Sequence, residues 1–177
     1  MNLSMHRADS TNSHFAALER EWAFQIKNLD DVVDDYESPH IEHARKIVNE
    51  IPVDRRYGIY VLRDEAASDD GGYVGMVHVN HAWIGTSQAT LRMLWVLLAP
   101  QFDYMEPNPL EIGTIAAGLL YGGIKLCQTD HRSKSMKMHL GSLVDRQYAS
   151  ALVASLRREI PGITSSIRGN WLQLDNL

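Results

Sequence analysis

Near the start of the chain, apolar residues recur at three- and four-residue spacing, which predicts two amphipathic helices. The first follows the cap-rich segment Ser10–Ser13, and its expected buried face consists of Phe15, Leu18, Trp22, Ile26 and Leu29. The second begins at Ser38-Pro39, where proline suits the first helical position, and ends before Pro52. The acidic run 30–37 between them is expected to be a solvated connector rather than a docking surface.

The pattern then changes to alternating and continuous apolar runs, which predict strands. Three strands joined by two hairpins are expected at 57–63, 73–81 and 90–98. Residues 91–98 are apolar on both faces except at Arg92. A strand with two apolar faces is expected at the centre of a sheet, with a layer packed on each side.

The second half of the chain alternates between helical and extended patterns. A glycine-bearing helix is predicted over Leu110–Cys127, a strand over 135–140, a helix from Ser142 and a last strand over Thr164–Leu174. Each interior helical glycine costs about 0.5–1 kcal/mol relative to alanine, which close packing on a sheet would offset. The order ααβββαβαβ predicts an α+β, three-layer fold over 1–177 as one domain, with a mixed, mostly antiparallel central sheet flanked by helices.

Composition narrows the classes of partner. The 177 residues carry a net charge of −5, which gives no general attraction to nucleic acid or anionic lipid. The N-terminus lacks the apolar region of a signal peptide, and the apolar stretch 112–124 is shorter than the roughly 20 residues that span a bilayer. Cys127 is the single cysteine, so we expect no internal disulfide, no metal site and a cytoplasmic protein.

The predicted order of elements resembles the GNAT superfamily of acyl-CoA N-acyltransferases over residues 10–175. In that superfamily a Gln/Arg-x-x-Gly-x-Gly/Ala loop before a helix holds the diphosphate of coenzyme A at the helix N-terminus. Here residues 106–114 read EPNPLEIGT, of which Ile112-Gly113-Thr114 is similar to the end of the motif. Pro109 lacks an N–H donor, and Glu111 adds negative charge where a phosphate would lie.

The resemblance implies acetyl-CoA or acyl-CoA as the cofactor. Its binding residues would lie at the end of the central strand, in the motif and in the basic run after the glycine-bearing helix: Leu98, Ala99, Ile112, Gly113, Thr114 and Arg132.

The resemblance also implies an acid that protonates the leaving thiolate, and Tyr148 lies near the position of the family's tyrosine. A base must take a proton from the attacking amine, and His139 and His78 lie on predicted strands where they could serve. The structural alternative for Tyr148 is an aromatic residue packed on the sheet, and for each histidine a ring with a backbone partner.

The expected function is therefore transfer of an acyl group from acyl-CoA to an amine acceptor. Two alternatives stay open: a non-catalytic ligand-binding or interaction module of the same fold, and an autoinducer-synthase-like enzyme that uses acyl carrier protein. The expected partners are a small-molecule amine or thioester, with no nucleic acid and no membrane, and such sheets are compatible with a homodimer.

Overall fold

The computed structural model describes residues 1–29, 39–68, 71–103, 108–141, 149–150, 153 and 162–177. These residues include a seven-stranded sheet of order β1-β2-β3-β4-β5-β7-β6, in which only the β4·β5 pair is parallel. The strands are β1 Leu3–Ala8, β2 Tyr57–Asp64, β3 Tyr73–Ala82, β4 Thr90–Leu98, β5 Ser135–His139, β6 Thr164–Arg168 and β7 Trp171–Asp175. The mixed, mostly antiparallel sheet is the one that the sequence predicts.

Four helices lie within the described residues: α1 His14–Asn28, α2 Pro39–Val48, α3 Pro100–Asp103 and α4 Pro109–Gln128. The predicted faces of the first two helices are confirmed where it matters for the core, because Leu18, Trp22 and Ala44 are almost fully buried. The indole N–H of Trp22 donates to Tyr73 O at 2.8 Å, which ties α1 to β3. The predicted helix from Ser142 and the acidic run 30–37 lie outside the described residues, apart from a few positions of that helix.

The register of the sheet assigns its side chains to two faces. Gly118 and Gly122 of α4 lie against Leu3 and Met5 of β1, so α4 covers the face to which these β1 side chains point. Directly paired residues share a face. The strand pairs therefore place Val96, Leu98, Met93, Met136 and Met138 on this α4 face. The alternate residues His78, Trp95 and His139 point to the opposite face, where α2 lies and its His43 contacts His78.

Three of the four glycines in α4 are explained by close packing, as expected from the sequence. A Cβ at Gly118 would lie 2.8 Å from Leu3 Cδ1, and one at Gly122 would lie 2.7 Å from Met5 Cε. A Cβ at Gly123 would overlap Met136 Sδ and lie 3.1 Å from Met93 Sδ. Gly113 is the exception, because no atom of another described element lies within 4 Å of the place its Cβ would occupy. Packing within the fold therefore does not require glycine at 113.

Two polar clusters are buried in the sheet. His131 is 1% exposed, and its Nε2 lies 2.8 Å from the hydroxyl of Tyr60, while no partner is found for its Nδ1. Burial lowers the pKa of His131 to about 4, aided by the neighbouring His81. His78 lies among the rings of His43, Tyr57 and Trp95, and burial lowers its pKa to about 4 as well. Both imidazoles are thus neutral at pH 7.

The structure corrects the sequence predictions at three places. Residues 3–8 form an edge strand, β1, which is absent from the predicted order of elements. The predicted last strand is a hairpin, β6 and β7, because Gly169 takes φ +57 at the turn between them. Although 112–124 is short for a bilayer, α4 as a whole has 20 residues and a composition that would allow it to cross a membrane. Its contacts with the sheet through Gly118, Gly122 and Gly123 are those of a core helix.

Candidate functional site in the gap between two strands

The ladder between β4 and β5 stops partway along both strands. Thr90–Met93 pair with Ser135–Met138 in parallel, whereas β4 runs on to Leu98 beside β3. Beyond Met93, β4 is therefore paired with β3 alone within the described ranges. A gap opens between the two central strands at this point.

A β-bulge explains where the gap begins. The register between β3 and β4 shifts at His78/Val79, so Leu94 has no residue opposite it. A bulge bends its strand and increases the local twist. Because Leu94 follows the last β4·β5 pair directly, β4 turns away from β5 immediately after Met93.

The backbone of β4 directs amide groups toward this gap. Ala99 N donates to Val74 O at 3.0 Å, so the amide of Ala99 faces β3. In an antiparallel ladder successive residues turn their N–H and C=O groups alternately to one side and the other. The N–H groups of Val96 and Leu98 therefore face away from β3, toward the side on which β5 has separated.

A pocket of about 360 Å³ occupies the gap and is lined from both faces of the sheet. Its α4 side is apolar. Its opposite side carries the rings of Trp95, His40 and His139. The lining residues are His40, Trp95, Val96, Leu98, Asp103, Ile112, Ile115, Ala116, Leu119, Met138, His139, Leu140, Gly141 and Ala149.

Three titratable side chains line this mainly apolar pocket. His139 ends β5, and its ring meets the edge of Trp171 at 5.0 Å. His40, from α2, lies against Trp95 with ring centroids 4.8 Å apart. Although part of Asp103 remains exposed, burial raises the pKa of its carboxyl to about 6. A carboxyl that titrates near neutral pH is suited to proton transfer.

No cluster of three or more His, Cys, Asp or Glu side chains that could hold a metal ion occurs among the residues that the structure describes.

Comparison with known proteins adds information at the level of fold. No family model matches the sequence, and no curated protein is similar to it. The ribosomal-protein-alanine N-acetyltransferase of Brucella melitensis biovar Abortus 2308 superposes with a TM-score of 0.50 at 12% identity, over 94% of this chain and 99% of that one. The chain has the GNAT fold.

Two further solved structures are similar at lower scores. A GNAT-family acetyltransferase from Staphylococcus aureus Mu50 gives a TM-score of 0.47 at 11% identity, over 99% of both chains. A NatC complex bound to Gag peptide and CoA gives 0.49 at 14% identity, over 98% of this chain and 97% of that one.

On the GNAT fold, the structure brings some of the predicted site residues together. Leu98, Ile112 and His139 all line the pocket. His78 does not line the pocket. Its ring packs against the ring of Trp95, with centroids 5.5 Å apart, and Trp95 forms part of the pocket wall. Tyr148 lies outside the described residues, although Ala149 beside it lines the pocket.

The pocket wall does not include Ala99, Thr114 or Arg132, whereas Gly113 directly follows the lining residue Ile112. Ala99 is fully buried and its N–H is bonded to Val74. The Thr114 hydroxyl donates to Leu110 O at 2.8 Å, within α4. Arg132 follows the C-terminal end of α4, a helix of 20 residues, whereas Ile112 and the pocket lie at its N-terminal end. A helix of that length spans about 30 Å, so Arg132 lies far from the pocket wall, and its contact with a ligand stays a prediction.

Sequence reasoning missed Asp103, Trp95 and Met138 as pocket residues. Trp95 and Met138 were interpreted as strand core, and only the bulge and the early end of β5 expose them to a pocket. Asp103 follows Pro100 in the short helix α3, which no periodic pattern is long enough to predict.

The N-terminus of α4 does not fit the diphosphate that the resemblance implies. Asn108 Oδ1 accepts the N–H of Leu110 at 3.0 Å, and Asn108 O accepts those of Glu111 and Ile112 at 2.9 and 3.1 Å. Pro109 has no N–H. The first turn therefore offers no free donor at residues 109–112, and its acidic residue is Glu111.

Proposed function

We propose that this protein transfers an acyl group from a thioester of the acyl-CoA class to an amine. The observation that carries the proposal is the gap between β4 and β5. There a pocket lined from both faces of the sheet adjoins the amide of Val96 and the ring of His139. The GNAT fold and the acetyltransferases that share it support acyl transfer as the reaction class.

Each side of the pocket suits one reactant. The apolar α4 side, with Ile115, Leu119 and Met138, suits the acyl chain and the uncharged arm of a thioester. The open position at Gly113 lets a ligand approach the helix closely. The opposite side, with His40 and His139, suits an amine that must lose a proton before it attacks.

The reaction balances with these groups. The amine nitrogen attacks the thioester carbonyl carbon, a C–N bond forms, and the C–S bond breaks to release a thiolate. His139 accepts the proton of the amine, and the amide N–H of Val96 donates to the carbonyl oxygen as negative charge develops there. The thiolate takes a proton from water and leaves as a thiol, and the His139 imidazolium returns its proton to water.

The experiment measures thiol release from acetyl-CoA and acetyl-pantetheine in the presence of a panel of primary amines. We expect His139→Gln to lower kcat about 100-fold or more, as loss of a general base does, with a thermal midpoint within a few degrees of wild type. His43→Gln is the matched control, because His43 is an exposed α2 histidine that does not line the pocket.

Two results would contradict the proposal. Equal activity of the His139→Gln and His43→Gln variants would remove His139 from the mechanism. Absence of thioester binding at high micromolar concentration would favour the non-catalytic module instead.

A further inference from the structure

The first turn of α4 is closed by the protein's own atoms. The side-chain and backbone oxygens of Asn108 together accept the N–H groups of Leu110, Glu111 and Ile112. A helix N-terminus binds phosphate through such N–H groups. A diphosphate here would have to displace the Asn108 cap, whose loss costs a helix about 0.5–2 kcal/mol.

The charge of this turn also opposes an anion. Glu111 is exposed in the first turn, where a carboxylate is stabilised by the positive end of the helix dipole. The favourable potential that other helices offer to a phosphate is thus partly neutralised by a side chain of the helix itself. A second negative group placed beside Glu111 would be repelled.

The described α4 wall of the pocket carries no such obstacle beyond Glu111. Ile112, one residue after Glu111, turns into the pocket, and Ile115 and Leu119 continue the apolar wall along α4. Beside them, Gly113 leaves open space at the helix surface. An uncharged pantetheine arm with its acyl group therefore meets an open apolar wall, whereas a diphosphate meets a capped and acidic helix end.

Resting on the proposed function, we propose that the protein recognises its donor through the acyl-pantetheine arm, and that the adenosine diphosphate portion of coenzyme A adds no affinity. The donor class is then a pantetheine thioester, whether free or attached through its phosphate to a carrier protein. Coenzyme A thioesters bind because they carry the same pantetheine arm.

The test compares donors that differ in the diphosphate alone. Isothermal titration of the full chain with acetyl-CoA and with acetyl-pantetheine should give dissociation constants within threefold of each other. Acetyl-CoA binding at least tenfold tighter would overturn this inference and leave the proposed function standing. No heat with either thioester would overturn both.

A third titration distinguishes a free pantetheine thioester from one attached to a carrier protein. Tighter binding of an acetylated carrier protein than of acetyl-pantetheine would support recognition of an arm attached to a carrier. Equal or weaker binding would support a free pantetheine thioester as donor. This third titration is interpreted only if acetyl-CoA and acetyl-pantetheine have similar dissociation constants.

A variant that removes the charge of Glu111 tests whether this carboxylate weakens the binding of acetyl-CoA. Glu111→Gln should raise the affinity for acetyl-CoA about two- to fivefold, the usual effect of one charge at a helix end, and leave that for acetyl-pantetheine unchanged. Asp130→Asn removes the same charge at the exposed opposite end of α4 and should change neither. An unchanged acetyl-CoA affinity in Glu111→Gln would refute the role of this carboxylate.

Discussion

Replacing Gly113 by alanine should stabilise the protein and weaken donor binding at the same time. Gly113 lies inside α4, and a Cβ there would meet no atom within 4 Å. Alanine in a helix interior is about 0.5–1 kcal/mol better than glycine, so the free energy of unfolding should rise by that amount. For a chain of this size the thermal midpoint should rise by about 1–4 °C.

The assays are urea unfolding followed by circular dichroism and calorimetric titration of acetyl-pantetheine. With an m-value of about 2 kcal/mol/M, the midpoint should move up by about 0.25–0.5 M urea. If the thioester arm approaches the helix at Gly113, the new methyl group should lower its affinity severalfold. A stable variant with weaker binding separates a ligand contact from a folding defect.

Gly123→Ala is the matched control within the same helix. Its Cβ would overlap Met136 Sδ and crowd Met93 Sδ, so this variant should lose about 1–3 kcal/mol through overpacking. If Gly113→Ala is destabilised like Gly123→Ala, the space at Gly113 is not open and the reasoning is wrong. If it is stabilised but binds donor normally, Gly113 does not contact the ligand.

Three further predictions concern buried groups and the α4 cap. His131 and His78 both have a pKa near 4 against an ordinary 6.5. Their contribution to the free energy of unfolding is therefore fully present above pH 6.5. It falls at lower pH, because the unfolded chain then binds protons that the folded protein does not. Each histidine should lower the free energy of unfolding by about 2 kcal/mol at pH 5 relative to pH 8. Urea unfolding at several pH values checks this, and His131→Gln should remove about half of the dependence; a flat profile from pH 7 to 5 would contradict it. Burial raises the pKa of the Cys127 thiol to about 12, so it should react with an aromatic disulfide only on unfolding; rapid modification of the native protein would show that it is accessible. Asn108→Ala should cost about 0.5–2 kcal/mol because Leu110 N–H loses its acceptor, while acetyl-CoA affinity should rise, since a donor is released; urea unfolding and calorimetry measure the two effects, and an unchanged stability would mean that the cap contributes nothing.

The central part of the fold could be predicted because its local patterns agree with its environment. The strand 90–98 is apolar on both faces, and it lies between α4 on one face, near Met93, and α2 on the other, where His40 contacts Trp95. The strand β1 was missed although Leu3 and Met5 alternate with polar residues. One short amphipathic edge strand gives a weak signal, and its apolar residues are explained only by the glycines of α4 that receive them.

The site was harder to predict than the fold for a physical reason. His139 and Ile112 could be predicted as site residues because Ile112 lies in the loop motif and His139 on the strand that follows the glycine-bearing helix. Asp103 and His40 come from elements far apart in the chain, and only tertiary packing brings them to the same wall. Arg132 was assigned to the ligand by its charge, and it lies beyond the end of α4 that is opposite the pocket.

The unmatched residue Leu94 has a consequence for how such a site can arise. Without it, β4 would continue in regular alternation past Met93, and β5 could extend its ladder alongside. Deletion of one codon would therefore seal the opening while leaving the strand order intact. The opening between β4 and β5 therefore begins at one added residue of β4, within a strand order that does not depend on that residue.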